Sequence, residues 1–258
     1  MLPWVALVCQ AQTAAETKPA ALFPVITAVV NGASFQPGIV SGSWATILGS
    51  DLATTTRSWN DSDFFNGNLP PNLSSTGVVI SGKAAFVGYI SPTQINVLIP
   101  DDPALGTVTV LVTESFNSSN IVFANKVALA PALFTFNSRY PVAAHNADGS
   151  SAAPVNLVPG VASTPARPGE VLQLFGTGFG PTDPVIPTGI LFSTPAPLAQ
   201  PVTATVGGVP AKVAGYLTYP GVYQLNLTVP ELADGDAPLA IKMGSIETQA
   251  GLMLPIGR

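Results

Sequence analysis

The sequence predicts an all-β protein made of two tandem β-sandwiches, and three observations carry the prediction. First, one strand-like stretch occurs twice, as Thr93-Gln94-Ile95-Asn96-Val97-Leu98-Ile99-Pro100 and as Tyr223-Gln224-Leu225-Asn226-Leu227-Thr228-Val229-Pro230. Each copy alternates apolar and polar residues and stops at a proline, the pattern of a half-buried strand. Second, matching segments before and after each copy make the repeat a whole domain rather than a solenoid unit. Third, Gly 24 and Pro 26 punctuate short β-branched runs, and no long stretch has helical period.

Taken in order, the first strand is Pro24-Val25-Ile26-Thr27-Ala28-Val29-Val30, followed by the turn-rich Asn31–Gly38. Ser43-Trp44-Ala45-Thr46-Ile47-Leu48-Gly49 is a strand closed by glycine. Residues 54–75 form a polar excursion that carries Trp59, Phe64 and Phe65. Alternation resumes at Gly77–Ile80, turns at Gly82-Lys83 and returns along Ala84–Ile90. The Gln94–Ile99 strand follows, then Thr107–Thr113 and Ile121–Leu129. About seven strands in roughly 105 residues is the spacing of an immunoglobulin-like sandwich, here without the Cys…Trp…Cys signature of antibody domains.

The second half repeats that order. Gly169 lies over Gly42, Gly208 over Gly82 and Tyr216 over Tyr89, while Gln224 over Gln94 requires about three inserted residues near Thr218–Gly221. The predicted divisions are 1–23 as signal-peptide remnant and tether, 24–130 as the first sandwich and 131–258 as the second. The second carries a longer lead-in, Pro141 to Pro168, rich in Ala, Ser, Pro and Asn.

Composition narrows the function classes. Only 9% of residues are charged, against about 25% in ordinary globular chains, and the net charge is −5 with Lys+Arg 9. Basic residues do not cluster, which excludes nucleic-acid binding because phosphate neutralisation needs grouped cations. Leu2–Cys9 is a short apolar run, and Gln10–Ala15 offers small residues suited to signal-peptidase cleavage. Val8, directly before Cys9, is larger than the small residue that cysteine lipidation requires. Cleavage removes Cys9, so the mature chain holds no disulfide. No run is long enough for a membrane span.

The chemistry-bearing residues are few. His145 is the single histidine; it reads as an exposed turn residue near Asp148, and no Gly-x-Ser-x-Gly elbow accompanies it. One histidine and one removable cysteine exclude a tetrahedral zinc site. Calcium needs only oxygen ligands. Asp61-Ser62-Asp63 begins like a calcium loop but has Phe65 at the next ligand place, and Asp101-Asp102 and Asp234-Gly235-Asp236 occupy equivalent corners; all read as solvated turn carboxylates. The 14 acidic residues are scattered, without the paired carboxylates of a glycosidase. Gly176-Thr177-Gly178-Phe179-Gly180 is read as a strand-ending turn, since Pro181 and Pro184 block the helix a phosphate loop needs. Gln94/Asn96 and Gln224/Asn226 are expected to satisfy backbone groups at a strand bend. No cofactor is expected.

Asn31-Gly32-Ala33-Ser34-Phe35, Ile47–Leu52 and Ser91-Pro92-Thr93-Gln94-Ile95-Asn96 through Pro100 resemble the Solibacter-type C-terminal β-domain that recurs in secreted acidobacterial proteins. Ala130–Thr135, Asn146–Gly149, Pro168–Val171, Gly176–Pro181 and Tyr223–Pro230 look like its second half, so the resemblance covers nearly all of residues 24–258. It implies a fold similar to IPT/TIG domains and implies no activity. The family's usual Gly before Gln-Ile-Asn is Thr93 here and Tyr223 in the second copy.

Together these readings predict a secreted, non-catalytic tandem module for adhesion, spacing or extracellular interaction with a protein or polysaccharide at the cell surface. The alternative is an accessory carbohydrate-binding module that uses Trp59, Phe64 and Phe65. The competing account of those aromatics is that Phe64 and Phe65 cap the sandwich or fill the crease between domains.

Overall fold

The computed structural model describes residues 23–257, so the signal-peptide and tether readings and Cys9 lie outside the described residues. Seven principal strands build the first sandwich: β1 Val25–Asn31, β2 Trp44–Ser50, β3 Thr76–Ile80, β4 Phe86–Ile90, β5 Gln94–Leu98, β6 Gly106–Glu114 and β7 Val122–Lys126. One sheet runs β1-β2-β5-β4, with Arg57–Ser58 on the outer edge of β4. In the other, β6 lies between β3 and β7.

The second sandwich uses β8 Ala132–Leu133, β9 Ala143–His145, β10 Val171–Thr177, β11 Val202–Val206, β12 Val213–Tyr219, β13 Val222–Thr228, β14 Gly235–Met243 and β15 Met253–Ile256. Its first sheet runs β9-β10-β13-β12, and β8 also pairs with β10. Its second joins β11 and β15 to β14. Among the described residues no helix is long and apolar enough to cross a membrane.

Period-two alternation decides which side chains meet. Ala45 sits opposite Val97 and Ile47 opposite Ile95; in the second sandwich Leu172 sits opposite Leu227 and Leu174 opposite Leu225. All eight are 0% exposed. They pack against Val78, Ile80, Val108, Val110 and Val112 in one core and Val206, Leu239 and Ile241 in the other. Burying each of the Val, Leu and Ile side chains contributes roughly 1.5–3 kcal/mol, which suits sandwiches whose charged residues are few.

The two halves differ in three places. The lead-in of the second is not a plain connector: Ser151–Ala152 pairs with β9, and Ser163–Thr164 extends that sheet further. The excursion of the first supplies the core residue Leu73 and a capped turn at Asp61–Asp63, while its Arg57–Ser58 edge has a counterpart in Ala196–Pro197 on β12. The insertion at Thr218–Gly221 lengthens the β12–β13 hairpin to the pair Tyr219–Val222, with Pro220-Gly221 at its tip.

That tip reaches the first sandwich. The Trp44 indole Nε1–H donates to the Pro220 carbonyl at 3.0 Å, and the Trp44 backbone N–H donates to Thr177 Oγ1 at 2.9 Å. Thr177, 0% exposed, donates its hydroxyl proton to the Gly221 carbonyl at 2.8 Å. Gly178 N–H donates to Ser43 Oγ at 3.0 Å, and Asn31 Nδ2 donates to the Ala130 carbonyl at 2.9 Å. Further along, Leu69 N–H donates to Gly189 O and Leu191 N–H to Gly67 O, so the excursion pairs with the proline-rich stretch of the second half. A seam of buried, directional bonds fixes orientation in a way that apolar contact alone does not.

Two outcomes follow from this packing. Ile95→Asp and Leu225→Asp each bury an unpaired carboxylate at a cost of several kcal/mol. Each variant should lose the cooperative thermal transition of its own sandwich, and wild-type melting of both by calorimetry contradicts the register. Thr177→Val keeps the shape but strips the Trp44 N–H and the Gly221 carbonyl of their partner, about 1–3 kcal/mol for each stranded group. Calorimetry should then show the two sandwiches melting in separate steps, where an unchanged single transition means the seam does not couple them.

Candidate functional site

Local chemistry fixes the excursion. Trp59 N–H donates to the Gly88 carbonyl at 3.0 Å, just past the Arg57–Ser58 edge strand. Asn60 then caps a single turn at Asp61–Asp63: its side chain accepts from Ser62 N–H at 3.0 Å, and the Asp63 carboxylate accepts from Asn60 N–H at 2.8 Å. Arg57 pairs with Asp63, and its hydrogen bond holds that carboxyl below the usual range. A capped turn with an arginine brace positions Trp59 from both sides.

The three aromatics noted in the sequence go to different places. The Trp59 ring meets Phe64 edge-on at 5.3 Å and Trp44 edge-on at 5.4 Å, the geometry that aromatic quadrupoles favour. Trp59 packs on the first core and Phe64 is half-buried beside it. Phe65 is 76% exposed at the Phe65–Asn68 turn, away from the other two.

Trp44 completes the group, and glycines make room for it. β4 bulges between Val87 and Tyr89, and a Cβ on Gly88 would lie 2.5 Å from the Trp44 ring. A Cβ on Gly221 would lie 2.8 Å from the other edge of that ring, and Gly221 has φ 70, which glycine adopts without strain.

These pieces enclose a cleft of about 320 Å³ between the two sandwiches. The first sandwich lines it with Trp44, Trp59, Tyr89, Thr46, Ser58 and Asn96, and the second with Phe134, Tyr219 and Val222. Five of these are aromatic and none is charged. Thr46 Oγ1 and Gln94 Nε2 both donate to Asn96 Oδ1, at 3.1 Å and 2.8 Å. This fixes which way the Asn96 amide points. Tyr219 is 39% exposed at the rim; burial, then the Asp61 carboxylate, raises its phenol above the ordinary tyrosine range. Apolar walls with a few oriented polar groups, placed at a domain boundary, are what ligand pockets of roughly 300–1,000 Å³ share.

The Gln–Asn pairs behave differently from the sequence expectation. Gln94 bonds Asn96 and Gln224 bonds Asn226, both at 2.8 Å, side chain to side chain along each strand rather than to backbone. The shared geometry is structural, but only the first copy opens onto the cleft. The position of Trp44 is Val171 in the second copy, which offers no ring.

His145 is also not the exposed turn residue the sequence suggested. It is buried at the end of β9, with Nδ1 3.1 Å from both Glu170 oxygens and Nε2 3.0 Å from Thr164 Oγ1 and 3.2 Å from its carbonyl. Both ring nitrogens are engaged, and they pin the added edge strands to β10. This cluster lies apart from the cleft.

The acidic corners have partners too. Asp101 accepts from Thr188 N–H and hydroxyl across the seam. The Asp102 carboxylate accepts from Ala104 N–H, and its carbonyl accepts from the ammonium of Lys126, a side chain only 2% exposed. Burial holds Lys126 below the usual lysine range, against the pull of the Asp102 carboxylate. Asp236 accepts from Arg139 and Tyr140, and Asp234, though exposed, is also engaged. Among the described residues no group of three or more His, Cys, Asp or Glu is placed to hold a metal. Glu114 is buried; desolvation raises its pKa, but hydroxyls of Thr76, Thr54 and Ser75 outweigh it and the carboxyl stays below its usual range. A second crease of about 390 Å³, on the Asp101 flank of the seam, is lined largely by Leu98, Leu105, Ile186, Phe192 and Leu217.

Of the three aromatics singled out in the sequence, Trp59 lines this cleft and Phe64 packs against it, whereas Trp44, Tyr89 and Tyr219 are not singled out there. Trp44 reads as an ordinary strand residue, and Tyr219 sits beside an insertion whose only signal is a slip in the repeat.

No family model matches the chain, and no curated protein matches it. Among solved structures, it is similar to a surface glycan-binding protein of Prevotella bryantii at 12% identity and TM-score 0.28, covering 91% of this chain and 42% of that one. It is similar to a surface glycan-binding protein of the Bacteroides ovatus mixed-linkage glucan utilization locus at 12% identity and TM-score 0.35, covering 85% and 43%. Domains 5–6 of the S-layer protein SbsC give 12% identity and TM-score 0.27, covering 90% and 98%. The chain thus spans less than half the length of the two glycan-binding proteins, and all three are distant likenesses.

Proposed function

We propose that this chain is a secreted, non-catalytic module that mediates interaction at the cell surface, and that it does so through the cleft between its two sandwiches. The observation that carries the reading is the cleft itself: five aromatic side chains, contributed by both sandwiches, around an oriented asparagine. It contains no nucleophile–base pair. The single histidine is consumed in a structural brace, and the carboxylates described are spent on hydroxyls, backbone N–H groups and cations. Of an extracellular protein and a polysaccharide as partner, the aromatic lining favours the polysaccharide.

A second reading, a rigid spacer, is favoured by the hydrogen-bonded seam, which would hold two sandwiches at a set angle. The two readings separate in a pull-down of the chain against native cell envelope and extracellular polysaccharide. The binding reading predicts retention by one fraction and loss of retention in Trp59→Ala while both sandwiches still melt cooperatively. Absence of retention by every fraction supports the spacer instead.

A further inference from the structure

The two halves of the repeat diverge at several places, and two of those divergences converge on one cleft. Trp59 stands where the second half has Leu198. Each follows a paired edge strand and donates its N–H to a glycine carbonyl, Gly88 or Gly215, so only the first half puts a ring there. Tyr219 belongs to the hairpin extension that only the second half carries. A ring at that position is not needed to close a sandwich, because the second half packs Leu198 there, and the first half closes its core without the hairpin extension. Their meeting across the seam, beside Trp44, makes a surface that the repeated fold does not demand.

The chemistry of that surface specifies a ligand. Ring faces of Trp and Tyr are electron-rich and attract weakly positive C–H groups while shedding water. The Asn96 amide and the Ser58 hydroxyl supply donors and acceptors among those rings. The Asn96 Oδ1 is already occupied by Thr46 and Gln94, so its Nδ2–H₂ is directed as a donor. No cation lines the cleft, and Asp61 lies near its Tyr219 rim. An anionic ligand would meet no counter-charge there and a repulsive carboxylate at the edge. The molecules that combine C–H faces with hydroxyls and carry no charge are neutral sugars.

We propose that the cleft between Trp44, Trp59, Tyr89 and Tyr219 binds a neutral saccharide chain, and that both sandwiches contribute to the same sugar-binding site. This rests on reading the cleft as the binding site of the module. Trp59 and Tyr219 are the contact residues from the two sides, and Gly88 is a positioning residue that lets the Trp44 ring lie against β4. Phe65 lies outside the site.

Affinity electrophoresis of the full chain in gels containing galactomannan, β-glucan or alginate tests this directly. Retardation by a neutral polymer and not by alginate is expected. Trp59→Ala and Tyr219→Ala should each weaken it roughly tenfold or more, the loss typical of a central aromatic anchor, while Phe65→Ala leaves it unchanged. Tyr219 is a rim residue, so its variant should keep the wild-type melting temperature even if Trp59→Ala loosens the first sandwich. Retardation by a neutral polymer that survives Tyr219→Ala overturns the shared site while leaving a surface-binding module standing. Equal or stronger retardation by alginate overturns the neutral class. Failure of all three polymers, with envelope fractions still retaining the chain, overturns the saccharide assignment but not the interaction module.

Discussion

Thr177 Oγ1 accepts the backbone N–H of Trp44 and donates to the carbonyl of Gly221, in a place where no water reaches it. The rest of the molecule depends on this exchange. A β-sandwich ends its strands in loops, and two sandwiches joined by a few residues ordinarily move against each other, since interfaces within a chain resemble transient ones. Here the end of β10 is hydrogen-bonded to the start of β2, and the β12–β13 hairpin is hydrogen-bonded to the Trp44 indole. Buried polar groups are expensive when unpaired, so a hinge motion that opened this seam would strand several of them at once.

The same constraint shapes the cleft. Trp44 cannot turn away because its Nε1–H is spent on Pro220, its ring is confined by Gly88 and Gly221, and Trp59 stands against its edge. A pre-formed aromatic wall loses little conformational freedom when a ligand arrives, which is how rigid sites gain affinity from modest contact area. The seam and the cleft are therefore one structure: the residue that locks the domains is also a wall of the site.

Much of this was legible in the sequence. The duplicated Gln-x-Asn strand gave the core register in both halves, because a one-residue slip would turn Ile95 or Leu225 to solvent and no such slip fits the alternation. The slip in the repeat near Thr218–Gly221 marked where the second hairpin lengthens. What it could not give was direction: period-two patterning places Trp44 on the outer face of its strand but says nothing of a second domain meeting it there. His145 misled for a related reason. Its neighbours Asn146–Gly149 do form a turn, yet Glu170 and Thr164, distant in sequence, return to bury it. Phe64 and Phe65, adjacent in the chain, separate because one packs beside Trp59 and the other tips a turn.

The seam implies that the two sandwiches move as one body. Electron–electron double resonance between spin labels at Thr107→Cys and Thr203→Cys, exposed positions one on each sandwich, in a chain with Cys9 replaced by serine, measures it most directly. The seam predicts one narrow distance distribution. A broad or bimodal distribution would show that the domains move independently, and a cleft built from both would then have no fixed shape.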